Sequence, residues 1–144
     1  MIMLLSPAKT LDLSATAIKL CSTPPFETQA TELVEELAKL SKAQLKTLLG
    51  TSDSITKLNF DRYQGFAKQQ TKQAILSFDG PAFKGLSAAN FDKKQQAFAQ
   101  EHLRVLCGLY GILRPFDAVR PYRLDMSKKL VTAEAKNLYE YWVS

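Results

Sequence analysis

No glycine occurs before Gly50, a single histidine is present, and the two cysteines, Cys21 and Cys107, lie far apart. Each scarcity removes a class of chemistry. A P-loop needs glycines that let the backbone wrap a phosphate, so the loop after the first apolar run is not one. His102 has no cysteine within ligand spacing, so no metal site and no cofactor are expected. Without a C-x-x-C pair the cysteines read as free thiols, and Cys107, between Leu106 and Gly108, has no basic neighbour in sequence to stabilise a thiolate. Long apolar runs are also missing. The opening Met1–Leu5 run stops at Ser6-Pro7, whereas a membrane span needs about 18 residues and a signal peptide a basic leader with about 7–15 apolar ones. A cytoplasmic chain without membrane contact is expected. No repeat of solenoid or propeller length is present. No complete catalytic set stands out, so no catalytic residue is assigned and a binding protein is favoured over an enzyme.

What is present suits a folded domain. The 144 residues are 46% hydrophobic and 23% charged, enough for one core without staples and too apolar for disorder. The net charge of +5 is unevenly spread. Arg104, Arg114, Arg120 and Arg123 fall in one short stretch with Asp117 as its only acid, and the remaining arginine is Arg62. Guanidinium groups suit phosphate and carboxylate better than ammonium groups do. The cluster is either an anion-binding surface or a set of structural ion pairs.

Periodicity gives a mixed α and β order. Met1–Leu5, continuously apolar, predicts a strand covered on both faces. Residues 12–26 lack a period. Ala30, Leu33, Val34, Leu37 and Ala38 mark one face of a helix. Ser41 and Gln44 form a capping-box pattern for a second helix, which Gly50 closes. Ser52 or Asp53 is expected to cap a third short helix ending near Leu58, and Asn59 a fourth carrying Phe60, Tyr63 and Phe66. Residues 74–78 read as a strand before the Asp79-Gly80-Pro81 turn. Asp92 and Gln95 open another helix with Phe98 and Ala99 inward. Leu103, Val105 and Leu106 are strand-like, and a final helix is expected from about Thr132 to Trp142. The expected fold class is a single α/β (mixed α+β) domain over residues 1–144.

Three segments carry a likeness: Leu5-Ser6-Pro7-Ala8-Lys9-Thr10-Leu11-Asp12, the run from Leu103 to Asp117, and Pro121-Tyr122-Arg123-Leu124-Asp125-Met126. In this order and spacing the chain resembles the bacterial peroxide stress protein YaaA family from Met1 to Trp142. Residues 73–80 and Lys84-Gly85-Leu86 also fit. The resemblance implies a cytoplasmic protein of the hydrogen peroxide response that limits free intracellular iron. It further implies DNA binding, a basic cleft and a helix–hairpin–helix element. Family members run to about 250 residues, so the chain is expected to lack roughly the C-terminal two-fifths of such a protein. The helix end at Leu138, Tyr141 and Trp142, extended by Tyr139, is then expected to be an open aromatic face through which the chain self-associates.

The helix–hairpin–helix maps to about residues 52–68, with Asn59 in the turn or cap and Lys57, Arg62, Lys68 and Lys72 supplying charge. A plain helical hairpin packing Ile55, Leu58, Phe60 and Tyr63 is the competing reading. With Arg104, Arg114, Arg120 and Arg123 these residues make the expected DNA contacts. Ser6, Lys9, Thr10, Tyr122 and Arg123 are candidates for an anion cleft. The Ser6 and Thr10 hydroxyls can equally satisfy local backbone, and Tyr122 can stack on a base or fill the core. A peroxide-stress DNA-binding protein leads. An enzyme acting on a nucleotide or other anionic small molecule is the alternative.

Overall fold

The computed structural model describes residues 1–143. Helices and short strands mix along the chain, as the class expected. Internal packing divides it into two compact units. Unit 1 takes Met1–Pro25, Gln70–Cys107 and Ile112–Pro121; unit 2 takes Phe26–Gln69, Gly108–Gly111 and the chain from Tyr122 on.

Unit 1 is built on β1 (Met3–Leu5) lying parallel to β3 (Leu103–Cys107), with Met3, Leu4 and Leu5 beside Leu103, Arg104 and Val105. Strand β4 (Gly111–Leu113) flanks β3 on the other side. Leu103, Val105, Cys107 and Leu113 are buried, and the opposite face is open, with Leu4 61%, Leu106 40% and Ile112 43% exposed. The two-sided cover expected for β1 is therefore absent from unit 1. β1 is an edge strand, and only one face of its sheet meets a core.

A second pair, β2 (Lys72–Gln73) and β5 (Ala118–Val119), runs antiparallel. Between β2 and the Gly80 turn, the expected strand is instead one turn of helix, α4 (Ala74–Ser77), its end held by Phe78 N–H donating to Ala74 O and Ser77 Oγ to Gln73 O. So short an apolar run fits either period, and these local bonds decide it. The Gln73 amide donates to the carbonyls of Ile18 and Leu20, which ties down the segment that lacked a period. Helix α5 (Pro81–Leu86) follows, and α6 (Lys93–His102) starts on the Asp92–Gln95 capping box. Ala99 faces inward as expected; Phe98 is exposed and rests on His102, ring centroids 4.4 Å apart.

Unit 2 holds three helices in succession, α1 (Glu27–Ala38), α2 (Lys42–Leu49) and α3 (Asp53–Gln64). α1 buries Ala30, Leu33, Val34 and Leu37, the face its spacing marks. α2 shows both capping-box bonds at Ser41 and ends on Gly50 at φ 65°, a left-handed conformation that glycine adopts without Cβ strain. α3 corrects the expectation of two short helices meeting at Asn59. Ser52 caps it and it runs unbroken through that residue. Its inward residues are Thr56, Asn59 and Tyr63, while Ile55 and Leu58 are exposed. Polar residues can take the inner face because their bonds are made: Thr56 Oγ1 lies 2.7 Å from Thr51 Oγ1, and the Asn59 amide donates to Ile55 O.

The last helix, α7 (Leu138–Val143), begins later than its periodicity suggests. Asn137 Oδ1 caps Glu140 N–H, and Thr132 holds a turn before it. The aromatic face expected to lie open is largely closed. Leu138 and Tyr141 are buried, and the Tyr141 hydroxyl donates to Glu32 Oε2 at 2.7 Å. Burial, then that bond, pushes the Tyr141 phenol well above its usual range. Trp142 is half-buried, its indole N–H donating to Gly108 O at 2.8 Å and its ring edge-on to Phe26. Tyr139, Glu140 and Val143 stand out from this helix.

Candidate functional site

The cationic groups divide by what already holds them. In unit 1, Asp117 is fully buried and is the hub of a closed network. Its carboxylate accepts from Ser22 Oγ at 2.6 Å, from Arg114 Nε at 3.0 Å and from the Arg114 backbone N–H at 2.7 Å. Arg114 Nη2 lies 2.9 Å from the same carboxylate and donates to Thr23 O. Gln100 donates to Ser22 Oγ and accepts from Phe116 N–H. This is a structural pair joining residues 22–23, 100 and 114–117. Arg104 folds back onto helix α6, donating to the carbonyls of Gln100 and Leu103. Lys72 reaches Asp12, both its carbonyl at 2.9 Å and its carboxylate at 3.6 Å. Arg120 belongs to this unit too and is half-buried. Arg104, Arg114 and Lys72 are thus engaged inside unit 1.

Ser6, Lys9 and Thr10 are exposed on the loop after β1, where the Thr10 carbonyl accepts from Asp79 N–H. Gly80 is close to this loop: a Cβ there would meet Ala8 Cβ at 3.1 Å.

Unit 2 contains the other candidates. Lys57 is in an i,i+4 ion pair with Asp61 at 2.9 Å, and Lys46 pairs with Asp53 at 2.6 Å. These lysine partners, by hydrogen bond first, hold both carboxyls below their usual range. Lys42 stands 5.2 Å from the centre of the Phe60 ring. Lys68 is exposed on the 3₁₀ turn Phe66–Lys68, with no ion pair among the described residues. Arg62 differs from all of these. Its guanidinium is half-buried, donates to Asn59 Oδ1 at 3.2 Å and has no carboxylate partner among the described residues. Burial lowers its pKa, with the neighbouring Tyr63 phenol opposing. Asn59, assigned to a hairpin turn or cap from sequence, is instead a buried bracket inside α3 that turns its carbonyl oxygen to Arg62.

Tyr122 is buried against Tyr110, ring centroids 5.7 Å apart and edge-on, so it fills the core of unit 2. Arg123 is held by its backbone. The Tyr63 hydroxyl accepts from Arg123 N–H at 3.2 Å and donates to Arg123 O at 2.7 Å. Sequence reasoning singled out Tyr63 as a packing residue only; nothing at sixty residues' separation signals this contact. Arg123 as a residue is half-buried, with no carboxylate partner among the described residues.

Gly108 acts by close approach: a Cβ there would lie 2.4 Å from Leu124 O, so the glycine admits the backbone of 124–126, not a ligand. Gly111 takes φ 72° beneath the Trp142 ring. The hairpin in the region of the predicted DNA motif is α2–Gly50-Thr51-Ser52–α3, earlier in the chain than residues 52–68. No helix among the described residues is long and apolar enough to cross a membrane.

Over residues 1–144 the chain matches the protein family described as Peroxide stress protein YaaA. A UPF0246 protein of Janthinobacterium sp. (strain Marseille) is 44% identical over 147 residues, covering 99% of this chain and 57% of the relative. A UPF0246 protein of Delftia acidovorans is 45% identical over 150 residues, 100% and 58% of the two chains. One of Roseobacter denitrificans is 42% identical over 146 residues, 99% and 56%. The chain therefore spans less than three-fifths of the length of these relatives.

Proposed function

The chain belongs to the peroxide stress protein YaaA family, and from that premise we propose that it binds duplex DNA through the phosphate backbone, within a cytoplasmic role that limits damage from free intracellular iron. The observation that carries the reading is the state of Arg62 and Arg123. The Arg62 guanidinium is partly withdrawn from water, Arg123 is a half-buried residue, and neither has a carboxylate partner among the described residues. A desolvated cation without a counter-charge is unfavourable unless an anion completes it. Arginine's fork matches phosphate oxygens. Lys68 adds exposed charge just beyond α3. The α2–α3 hairpin takes the place of the helix–hairpin–helix, and Lys57 has a secondary part because Asp61 already engages it.

The reading is tested by fluorescence anisotropy with a labelled duplex across a salt series. Counterion release makes log K fall linearly with log salt, with a slope of about 0.9 per phosphate neutralised. Arg62→Ala and Arg123→Ala should each weaken binding and flatten the slope by about that amount, with no change in sequence preference, since phosphate contacts position without specifying. Lys57→Ala should do less. No salt-dependent binding by the intact chain, or unchanged slopes in folded variants, would overturn it.

A further inference from the structure

Within unit 2 the end of α1, helix α2 and residues 127–131 border a cavity of about 540 Å³. Small-molecule sites occupy about 300–1,000 Å³, so the space is of ligand size. Its wall is mainly apolar, supplied by Leu40, Leu48, Leu130 and Val131. Leu130 is buried, Leu40 and Leu48 are half-buried and Val131 is 65% exposed, so the packing of the unit leaves part of this apolar surface uncovered.

Two polar side chains of the wall are already used. Gln44 accepts from Ser41 N–H in the capping box, and Thr47 donates to Ala43 O. The carboxylate of the wall, Glu36, is engaged by Lys39 at 3.2 Å. Lys128 and Lys129 also line the cavity and have no ion pair among the described residues. Lys128 is half-buried, and its Nζ lies 3.9 Å from the position a Cβ would take on Gly50, at the C-terminal end of α2. The carbonyl end of a helix favours a cation, which keeps this ammonium beside the cavity. An apolar wall with an excess of ammonium groups complements an anion that carries a hydrocarbon tail; a bare anion matches one half of it and a neutral oil the other.

We propose that this cavity binds a medium-chain alkyl carboxylate, with Lys128 and Lys129 meeting the head group and the four apolar residues covering the chain. The site uses neither Arg62 nor Arg123, so it stands or falls independently of DNA binding.

Sodium decanoate below its micelle-forming concentration is the probe, followed by methyl NMR of the intact chain. The methyl signals of Leu40, Leu48, Leu130 and Val131 should shift with one Kd and saturate at one ligand per chain. Octanoate should bind about three- to tenfold more weakly, because each buried methylene contributes, and acetate should leave these signals in place. Decyltrimethylammonium keeps the chain and reverses the charge, and should bind about fivefold more weakly than decanoate. Lys128→Ala and Lys129→Ala should each weaken decanoate about two- to fivefold without weakening decyltrimethylammonium. Val131→Asp puts a charge on the wall at an exposed position, away from the core, and should cost decanoate about tenfold. Lys93→Ala in unit 1 should change nothing. Equal binding of the two decyl probes, affinity independent of chain length, or shifts that fail to saturate would overturn the proposal. Sedimentation of the protein with phosphatidylglycerol vesicles, unaffected by decanoate, would also overturn it by assigning the exposed apolar surface to a lipid bilayer.

Discussion

Unit 1 carries nine basic residues against five acidic ones, and unit 2 carries ten against nine. Net charge alone would send a polyanion to unit 1. Side-chain geometry points the other way. In unit 1 the buried Asp117 takes Arg114, two carbonyls take Arg104 and Asp12 takes Lys72, while Lys19, Lys93 and Lys94 are exposed and solvated. Unit 2 is nearly neutral, yet Arg62 and Arg123 are half-buried and have no carboxylate partner among the described residues. A solvated lysine gains little from a new anion, because water already satisfies it and salt screens it. A partly desolvated arginine gains more. The state of each cation, rather than the sum of charges, marks the candidate site.

The largest expected effect lies in unit 1. Asp117→Ala removes a fully buried acceptor and strands Ser22, the Arg114 guanidinium and a backbone N–H. A loss of about 3 kcal/mol is expected on urea unfolding. Hydrogen exchange sharpens the division: protection should fall first in 1–25, 70–107 and 112–121. An equal fall in α1–α3 would break the contrast between separately packed units. In unit 2, Gly108→Ala forces a methyl group against the backbone of Leu124, Asp125 and Met126. About 2 kcal/mol should be lost, read from Trp142 fluorescence, since its indole bonds Gly108 O. A variant as stable as the parent would show that 124–126 can shift aside.

Asn59→Ala should cost about 1–2 kcal/mol, because it removes the bond to Ile55 O and frees Arg62. Weakened DNA binding with the salt slope retained would mark Asn59 as a bracket and not a contact. The smallest effect concerns Asp61. Its folded pKa is depressed, the Lys57 hydrogen bond being the first cause. The stabilisation is therefore present above the ordinary carboxylate pKa and lost as pH falls through the lower, folded value. A carboxyl ¹³C titration should show a midpoint below the usual range that returns to it in Lys57→Ala. An unchanged midpoint would mean that Lys57 is free to meet phosphate, and would bring α3 closer to the exposed lysines of unit 1 in character.

Much of the local structure was legible. The capping boxes at Ser41–Gln44 and Asp92–Gln95 and the buried face of α1 depend on neighbours three or four residues away, and they appear as their spacing implies. The two helices expected on either side of Asn59 merged into α3 because a cap residue in the middle of a helix can turn its side chain to the i−4 carbonyl instead. Residues 74–78 were too short for their period to distinguish strand from turn. Phe98, expected inward, is exposed because apolar character does not say which face a neighbour will cover.

By itself the sequence determined the family, the mixed class, the capped starts of α2, α3 and α6 and the small set of arginines from which any anion site must be drawn. The family follows from the resemblance of three motifs in order, and the rest from composition and from contacts within one or two turns. Tertiary structure alone decided which arginines are spent on the fold. Asp117 reaches back to Ser22 across ninety-five residues, and Tyr63 reaches Arg123 across sixty. No local pattern encodes such pairings, because they exist only once distant segments are packed and their polar groups must find partners away from water.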